Sequence, residues 1–335
     1  MKYAKTLETE KAIDLIKATF SGELCRWLNL HKISSPLMVL DGTGINDDLN
    51  GIERPVSFPV KALGDQKAVV VHSLAKWKRL RLKELAIPAG EGILTDMRAL
   101  RPDEEFSPLH SIYVDQWDWE QHILPLQRSL THLKITVRKI YEALRRTEKI
   151  VHEHYPEIRS VLPDEITFIH AEALLKHYPT LTPKQREHEA AKAFGAVFII
   201  GIGEMLSHGE VHDGRAPDYD DWSSANEDGG FGLNGDIILW HPVLECAFEI
   251  SSMGIRVDRE ALSRQLEKRD CNERSRLPFH DMLLRGQLTE SIGGGIGQSR
   301  LCMFLLRKKH IGEVQVSIWP PTERASLKAE GIELL

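Results

Sequence analysis

Apolar residues recur at steps of three and four in two stretches of the chain, and this spacing predicts two long amphipathic helices. The second predicted helix carries apolar positions from Leu126 to Leu144. The first spans about residues 6–30. Its apolar stripe consists of Ile13, Ile16, Phe20, Leu24 and Trp27. We expect both helices to pack against a sheet.

Short β-rich runs predict that sheet. Pro36 lies inside the first run and cannot donate to a ladder, so this strand is expected at a sheet edge or an interface. A polar stretch separates the runs at 92–100 and 109–118, which favours an antiparallel pair. The β-rich runs are 32–40, 56–62, 67–73, 92–100, 109–118, 195–201, 236–240 and 245–251.

Further helices are predicted at 75–85 and, as a pair, near 258–286, and a glycine-rich turn into a helix is predicted at 293–308. Strands and helices do not alternate regularly, so the fold class is α+β rather than a doubly wound sheet. No linker or repeat interrupts the chain, and we expect a single domain over 1–335.

Composition excludes several classes of protein. The 335 residues are 42% hydrophobic and 27% charged, with a net charge of −6, which indicates a folded protein without the basic excess of a nucleic-acid binder. The longest apolar run, 194–203, is about half of a membrane-spanning helix, and the N-terminus lacks a signal-peptide pattern. The four cysteines form no C-x-x-C pair. We therefore expect a cytoplasmic protein with neither nucleic acid nor membrane as a partner.

Three segments carry residues suited to chemistry. In 99–120, Arg101 ends a strand, and Gln116, Asp118 and Glu120 alternate along the next, so these three share one face.

Apart from these three segments, the chain carries a basic run, KWKRLRLK, at 76–83. We expect this run to present a solvated helix face near an anionic substrate.

The other two segments suggest sites for anions and cations. In 248–258, Glu249 and Ser252 offer oxygen ligands and Arg256 a planar fork for a carboxylate. The glycines of 291–300 precede Arg300 and let backbone approach a ligand closely, either through positive φ or through the missing side chains. Packing of helix against sheet is the alternative explanation for these glycines.

Three parts of the chain resemble, in this order, motifs 1, 2 and 3 of class II aminoacyl-tRNA synthetases: the helix and strand ending near Pro36, the Arg101 segment, and the G-x-G-x-x-R that ends in Arg300. The whole chain resembles ammonia-dependent asparagine synthetases, which are built on a class II synthetase core. The motifs that carry this resemblance are DGTGINDDLNG, VVHSLAKWKR, ALRPDE, SPLHSIYVDQWDWE, RAPDYDDW, GLNGDI, SSMGIRVD and IGGGIGQSR. The resemblance implies a mostly antiparallel mixed sheet flanked by helices, a homodimer, and synthesis of asparagine from aspartate, ATP and ammonia through a β-aspartyl-adenylate, with release of AMP and pyrophosphate.

The resemblance also implies roles for individual residues. Arg101, Asp47, Asp118 and Gln116 are the expected catalytic residues. Aspartate is expected to contact Asp47, Ser73, Lys78, Gln116, Asp118, Asp220, Ser252 and Arg256. ATP is expected to contact Arg101, Asp103, His110, Asp236, Glu249, Gly295, Gly297 and Arg300. The expected ligands of Mg²⁺ are Asp236, Glu249 and Ser252. Because the β-carboxylate must be activated, we expect Lys78 and Arg256 to grip the α-carboxylate.

Two alternatives stay open at this point. The chain could be a paralogue of aspartyl-tRNA synthetase that transfers aspartate to another acceptor, although it shows no segment for an anticodon-binding barrel. It could also be an inactive regulator, although Arg101, Glu249 and Arg300 are all present. A glutamine-dependent synthetase is disfavoured because no N-terminal cysteine or glutaminase segment is visible.

Overall fold

The computed structural model describes residues 2–47 and 53–335. Its helices are α1 (Lys2–Leu28), α2 (Ala75–Glu84), α3 (Leu130–His154), α4 (Ala171–His177), α5 (Pro183–Phe194), α6 (Arg259–Lys268), α7 (Pro278–Leu284), α8 (Gln298–Leu305) and α9 (Pro321–Ala329). Its strands are β1 (Leu30–Lys32), β2 (Met38–Leu40), β3 (Ser57–Val60), β4 (Gln66–Val70), β5 (Gly92–Leu100), β6 (Tyr113–His122), β7 (Thr167–His170), β8 (Ala196–Ile200), β9 (Asn234–His241), β10 (Cys246–Ile255) and β11 (Ser291–Gly297).

Eight strands form one sheet in the order β1-β5-β6-β11-β10-β9-β8-β7. Its outermost pairs, β1 with β5 and β7 with β8, are parallel, and the pairs between them are antiparallel. A three-stranded antiparallel sheet, β2-β4-β3, carries the chain towards α2. The predicted mixed, mostly antiparallel sheet with flanking helices is therefore confirmed.

Helices cover the large sheet on both faces. On one face, α1, α3 and α8 bury Phe20, Leu133 and Met303 with Trp117 and Trp119 of β6. The other face is only partly covered, by α4 and α5 over β8 and β9 and by α2 over β6. Because side chains alternate along a strand, the residues of β6 between and beside the two tryptophans point towards this second, open face.

Several predicted elements are confirmed with shifted bounds. Strand β5 coincides with the prediction at 92–100, whereas β6 starts four residues later than predicted because Ser107 and His110 close a small bridged turn before it. The predicted strand at 32–40 is wrong as a single element. It is divided between β1 and β2, which belong to different sheets, and Pro36 lies in the connection.

The glycine-rich segment is a central strand, β11, and not the turn that the sequence suggested. None of the glycines from Gly293 to Gly297 has a positive φ. The glycines are needed for space: a Cβ on Gly293 would lie 2.0 Å from Oε2 of Glu120, and one on Gly295 would lie 2.5 Å from Oε1 of Gln116. The neighbouring strands thus place long polar side chains over β11, and only glycine leaves room for them.

The solvated face predicted for the basic helix is also wrong for three of its cations. Lys76, Lys78 and Arg79 are at most 3% exposed, because α2 packs its basic side towards β6 and β11. Lys76 bonds to buried Asp218 at 3.0 Å. The run is therefore basic because buried carboxylates and carbonyls lie opposite it.

Within the described ranges, 2–47 and 53–335, no helix is both long enough and apolar enough to cross a membrane.

We predict that Gly294→Ala destabilises the fold. Its Cβ would lie 2.5 Å from Cβ of Met253 and 2.8 Å from the carbonyl oxygen of Ser252, in a buried part of the sheet. Overpacking of this kind costs about 1–3 kcal/mol, so the midpoint of thermal unfolding should fall by several degrees. Gly22→Ala is the control, because that glycine lies in α1 with nothing within 4 Å of its added Cβ. Equal midpoints for the two variants would contradict the prediction.

Candidate active site

A cavity of about 670 Å³ opens on the partly covered face of the large sheet. Its floor is formed by β6, β10 and β11, and its walls by the connections at 101–111 and 213–220. All but two of the residues predicted for the site line this cavity. They are Asp47, Ser73, Arg101, Asp103, His110, Gln116, Asp118, Asp220, Glu249, Ser252, Arg256, Gly295, Gly297 and Arg300. The two exceptions are Lys78 and Asp236, which lie directly behind lining residues.

Arg256, which follows β10, organises one end of the cavity. Its Nε and Nη2 donate to the carboxylate of Glu120 at 2.7–3.1 Å, and its Nη1 donates to Asp220. All three side chains are at most 3% exposed. Burial lowers the pKa of Arg256, but the charges of Glu120 and Asp220 outweigh burial and raise that pKa above its usual value. The guanidinium therefore stays charged at the cavity wall.

Lys78 lies beneath the cavity and not in its wall. Its ammonium group donates to Oδ1 of Asp118 at 2.6 Å and to the carbonyl oxygens of Trp119 and Gly294, both at 3.0 Å. These bonds use the three donors of an ammonium group, so Lys78 fixes Asp118 instead of reaching the predicted carboxylate of the substrate. Oδ2 of Asp118 is buried and has no hydrogen-bond partner within 2–47 and 53–335, so it can accept a bond from a ligand.

Asp47 and Ser73 form the opposite wall at this end. Ser73 donates its hydroxyl to Oδ2 of Asp47 at 3.0 Å, and Nδ1 of His72 lies 3.1 Å from the carbonyl oxygen of Asp47. Asp47 is 2% exposed and lies in the connection that follows β2. Together with Asp118 and Asp220, this carboxylate makes the end of the cavity strongly acidic.

Arg300 and His110 lie at the other end of the cavity. Arg300, at the start of α8, donates through Nη2 to Nε2 of His110 at 2.6 Å and through Nη1 to the carbonyl oxygen of Glu249 at 3.0 Å. Nδ1 of His110 lies 2.9 Å from the hydroxyl of Ser107. Burial and the charge of Arg300 lower the pKa of His110 to about 4, so a neutral imidazole accepts the bond from Arg300. The fixed guanidinium is suited to phosphate or to stacking on a base.

Arg101 and Asp103 lie in the connection between β5 and β6. Arg101 projects into the cavity, its nearest ion-pair partner being Glu104 at 3.9 Å, and its buried Nε has no hydrogen-bond partner in the part of the chain that the structure describes. Asp103 accepts bonds from the guanidinium and backbone N–H of Arg54, which lower the pKa of Asp103 to about 2. Arg101 is thus available for an anionic ligand, whereas Asp103 is already paired.

Asp236 and Glu249 supply the carboxylates of the expected metal site from adjacent strands. Ser252 lies opposite Asp236 in the register of β9 and β10, so the two side chains are neighbours on one face of the sheet. Burial, with a contribution from Glu249, raises the pKa of Asp236 to about 6 against the opposing charge of Arg215. The pKa of Glu249 is lowered, because Arg300 and Arg215 outweigh burial there.

The donor set suits a magnesium ion that is bound together with phosphate. No group of three His, Cys, Asp or Glu side chains that could hold a metal occurs within residues 2–47 and 53–335. Magnesium, however, is typically bound by one or two carboxylates, water and substrate phosphates. Asp236 and Glu249, whose carboxylates repel each other, match that requirement, with the hydroxyl of Ser252 beside them.

Sequence reasoning missed two functional candidates. Glu120 was placed on the correct face of β6 but given no role, although it holds Arg256. Arg215 was given no role, although it lines the cavity and binds both oxygens of Asp236. For Glu120, the signal was a third polar side chain in alternation with Gln116 and Asp118. For Arg215, it was an arginine within the RAPDYDDW motif.

Comparison with known proteins identifies the family. A family model described as aspartate-ammonia ligase matches residues 7–331. The chain belongs to the aspartate–ammonia ligase family. Among similar aspartate–ammonia ligases, that of Parabacteroides distasonis is 57% identical and that of Clostridium perfringens (strain SM101) is 53% identical, each over 98% of this chain and 95% of the relative. As a member of this family, the chain is an enzyme that makes asparagine from aspartate and ammonia. The comparisons favour neither the paralogue of aspartyl-tRNA synthetase nor the inactive regulator.

Solved structures with the same fold are class II tRNA synthetases. Asparaginyl-tRNA synthetase from Pyrococcus horikoshii, complexed with asparaginyl-adenylate, has a TM-score of 0.67 at 15% identity, covering 93% of this chain and 70% of that one. Aspartyl-tRNA synthetase from Entamoeba histolytica has a TM-score of 0.60 at 13% identity, covering 94% and 59%. The chain thus has the predicted class II core.

We predict that Glu120→Gln lowers the free energy of unfolding by about 3 kcal/mol, because removing one partner of a buried ion pair leaves the other charge uncompensated. Arg256 would then depend on Asp220 alone. Glu8→Gln is the control: Glu8 and Lys11 form a pair in which both side chains are more than half exposed, and such pairs contribute about 0–1 kcal/mol. Denaturant unfolding measures both variants, and similar losses in the two would contradict the assignment.

Proposed function

We propose that the enzyme activates the β-carboxylate of aspartate with ATP and then transfers the β-aspartyl group to ammonia. The observation that carries this proposal is the separation of charge within one cavity. Asp47, Asp118 and Asp220 lie at one end, and Arg101 and Arg300 lie at the other. Amino-acid and nucleotide can therefore bind side by side, with the reacting carboxylate between the two ends.

In the first step, an oxygen of the β-carboxylate attacks the α-phosphorus of ATP. A bond from that oxygen to phosphorus forms, the bond to the β-phosphate oxygen breaks, and pyrophosphate leaves. Arg101 projects into the cavity and can stabilise negative charge on the α-phosphate oxygens as it develops. Arg300, held by His110, binds the nucleotide. Mg²⁺, held by Asp236, Glu249 and Ser252, would neutralise triphosphate charge.

Aspartate is proposed to bind with its α-carboxylate on Arg256. The contacts with Glu120 and Asp220 use three of the five N–H groups of Arg256, so further donors can face a ligand. The ammonium group of aspartate can donate to Oδ2 of Asp118. This orientation leaves the β-carboxylate towards Arg101 and the amide of Gln116.

In the second step, ammonia attacks the β-carbonyl carbon of the adenylate. The new C–N bond forms, the bond from that carbon to the phosphate oxygen breaks, AMP leaves with the oxygen, and the nitrogen gives one proton to water as the amide forms. Ammonium must first lose a proton, and a carboxylate of the acidic end can accept it. Asp47, bonded to Ser73 at the cavity wall, is the proposed acceptor.

We also propose that one catalytic domain spans 1–335, that the enzyme works in the cytoplasm and that it binds neither nucleic acid nor membrane. All four cysteines are free thiols, which supports a reducing compartment. The large sheet combines strands from the start of the chain, β1, and from near its end, β11, which supports a single domain.

Isotope transfer tests the adenylate and the orientation of aspartate together. Aspartate labelled with ¹⁸O in the β-carboxylate should give AMP that carries one labelled oxygen, because the attacking oxygen leaves with AMP. Label in the α-carboxylate should stay in asparagine. Mass spectrometry of both products checks this. If label from the α-carboxylate appeared in AMP, aspartate would bind in the opposite orientation to the proposed one. Formation of ADP and labelled phosphate would contradict the adenylate intermediate.

Substitution tests the role of Arg101. Arg101→Ala should lower kcat by about 10²-fold or more, since one preorganised charge on a developing oxyanion contributes roughly 3 kcal/mol. KM for aspartate should change much less. Arg81→Ala is the control, because Arg81 pairs with Glu84 on the outer side of α2. Near-normal turnover of Arg101→Ala would remove this residue from the first step.

We further propose a two-fold homodimer that pairs through α1 and the 32–40 segment. Leu37, Met38 and Leu40 are 48%, 42% and 39% exposed, and they adjoin a groove lined by Pro36 and Arg98. Sedimentation at micromolar concentration should give twice the chain mass of 38.0 kDa. Leu37→Glu should shift the mass towards the monomer. A monomeric mass of the unaltered protein would refute the dimer.

A further inference from the structure

Arg215 occupies a position on Asp236 that the proposed function gives to a divalent cation. One nitrogen, Nη2, bonds to both oxygens of Asp236, and the side chains are only 12% and 5% exposed. A cation on Asp236 needs at least one of these same oxygens. Guanidinium and metal ion therefore compete for one carboxylate.

The bonding of Arg215 is incomplete in comparison with that of Arg256. Arg256 directs Nε, Nη1 and Nη2 at carboxylates. Arg215 directs only Nη2 at a carboxylate, and its Nη1 bonds to the adjacent carbonyl oxygen of Gly214 at 2.9 Å. Its Nε is buried without a partner in the ranges 2–47 and 53–335. An unbonded buried N–H is costly, so a ligand that offers more acceptors can draw Arg215 away.

The two partners also differ in how firmly their backbones are held. Asp236 lies in β9, between β8 and β10, and keeps its place through two ladders. Arg215 lies in 213–216, a segment with no helix or strand. Its side chain already lines the cavity. A change at this contact therefore moves Arg215 within the cavity and leaves Asp236 in place.

We propose that Arg215 alternates between two partners: it occupies the cation position on Asp236 when no nucleotide is bound, and it binds phosphate when the cation and nucleotide are bound. Without nucleotide, Arg215 neutralises Asp236. When the cation arrives with the triphosphate, it takes the oxygens of Asp236, and Arg215 turns to the phosphates, whose oxygens can satisfy more of its N–H groups. Asp236 thus always has a cation beside it. This inference rests on the proposed metal site at Asp236 and Glu249.

Binding of Mn²⁺ to the protein without nucleotide tests the competition. Free Mn²⁺ is measured by electron paramagnetic resonance. Arg215→Met and Arg215→Gln remove the competing charge and should bind Mn²⁺ about tenfold or more tightly than the unaltered enzyme, whereas Arg215→Lys should gain much less. Arg269→Met is the matched control: this arginine bonds to Gly203 and stacks on Trp222, outside the cavity lining, and its loss should leave affinity unchanged.

A second readout separates this role from mere support of the fold. At saturating Mg²⁺, Arg215→Met should raise KM for ATP although it binds Mn²⁺ more tightly, because the phosphates have lost a ligand. A structural defect would weaken both. The use of two neutral variants guards against failure of one to fold.

The outcomes of these measurements distinguish failure of the metal site, failure of the competition and failure of the turn of Arg215 to the phosphates. If Asp236→Asn binds Mn²⁺ as the unaltered enzyme does, the proposed metal site itself fails. If Asp236→Asn loses Mn²⁺ but the Arg215 variants match the unaltered enzyme, the site stands and the competition is overturned. If Mn²⁺ affinity rises but KM for ATP does not, the turn to the phosphates is overturned.

Discussion

Arg256 carries a charge that is buried at the end of β10, and the architecture of the site depends on the carboxylates that compensate this charge. Arg256 is paired with Glu120 from β6 and with Asp220 from the 213–220 connection. Three chain segments distant in sequence must therefore meet at one point. Breaking such a buried pair costs several kcal/mol, whereas an exposed pair contributes little. The cluster thus fixes where β6, β10 and the connection lie relative to one another.

The same cluster explains why β11 is rich in glycine. Glu120 and Arg256 lie across β11, where a Cβ on Gly293 would be 2.0 Å from one and 2.6 Å from the other. Lys78 reaches the carbonyl oxygen of Gly294 and Asp118 through the same opening. The glycines thus let a buried ion network pass over the middle of a sheet, a place where apolar side chains would otherwise pack.

Much of this fold could be predicted from periodicity, because apolar spacing reports which face of an element is buried. The positions of α1, α3 and β5 follow from that spacing, as does the shared face of Gln116 and Asp118. Resemblance to a family supplied the residues that line the cavity, although their roles stay predictions.

Other features depend on contacts between distant residues and leave no local signal. Glu120 and Arg256 are 136 residues apart, so alternation along β6 could show the face of Glu120 but not its partner. The solvated face predicted for α2 was wrong for the same reason, since the buried carboxylate of Asp218 lies 142 residues from Lys76. Arg215 lies in irregular chain, where no period assigns a face. Glycines 293–297 suggested a turn because composition alone does not separate positive φ from lack of space.

The charged side chains of the cavity differ between its two ends, so each end attracts ligand groups of a different charge. At one end, four carboxylates, Asp47, Asp118, Glu120 and Asp220, face two cations, Lys78 and Arg256. This excess of negative charge suits two ammonium groups, that of aspartate and that of the nitrogen donor, and disfavours a triphosphate.

At the other end, the arginines Arg101, Arg215 and Arg300 lie with the carboxylates of Asp236 and Glu249, and Glu104 is 3.9 Å from Arg101. These guanidinium groups suit phosphate, and His110 must stay neutral beside Arg300: a protonated imidazole would repel Arg300 and could no longer accept its bond. A β-carboxylate placed between the two ends is attracted towards the arginines, while the ammonium group on the same molecule is held by the aspartates. The polarity of the cavity therefore aligns aspartate with the phosphate before any reacting atoms meet.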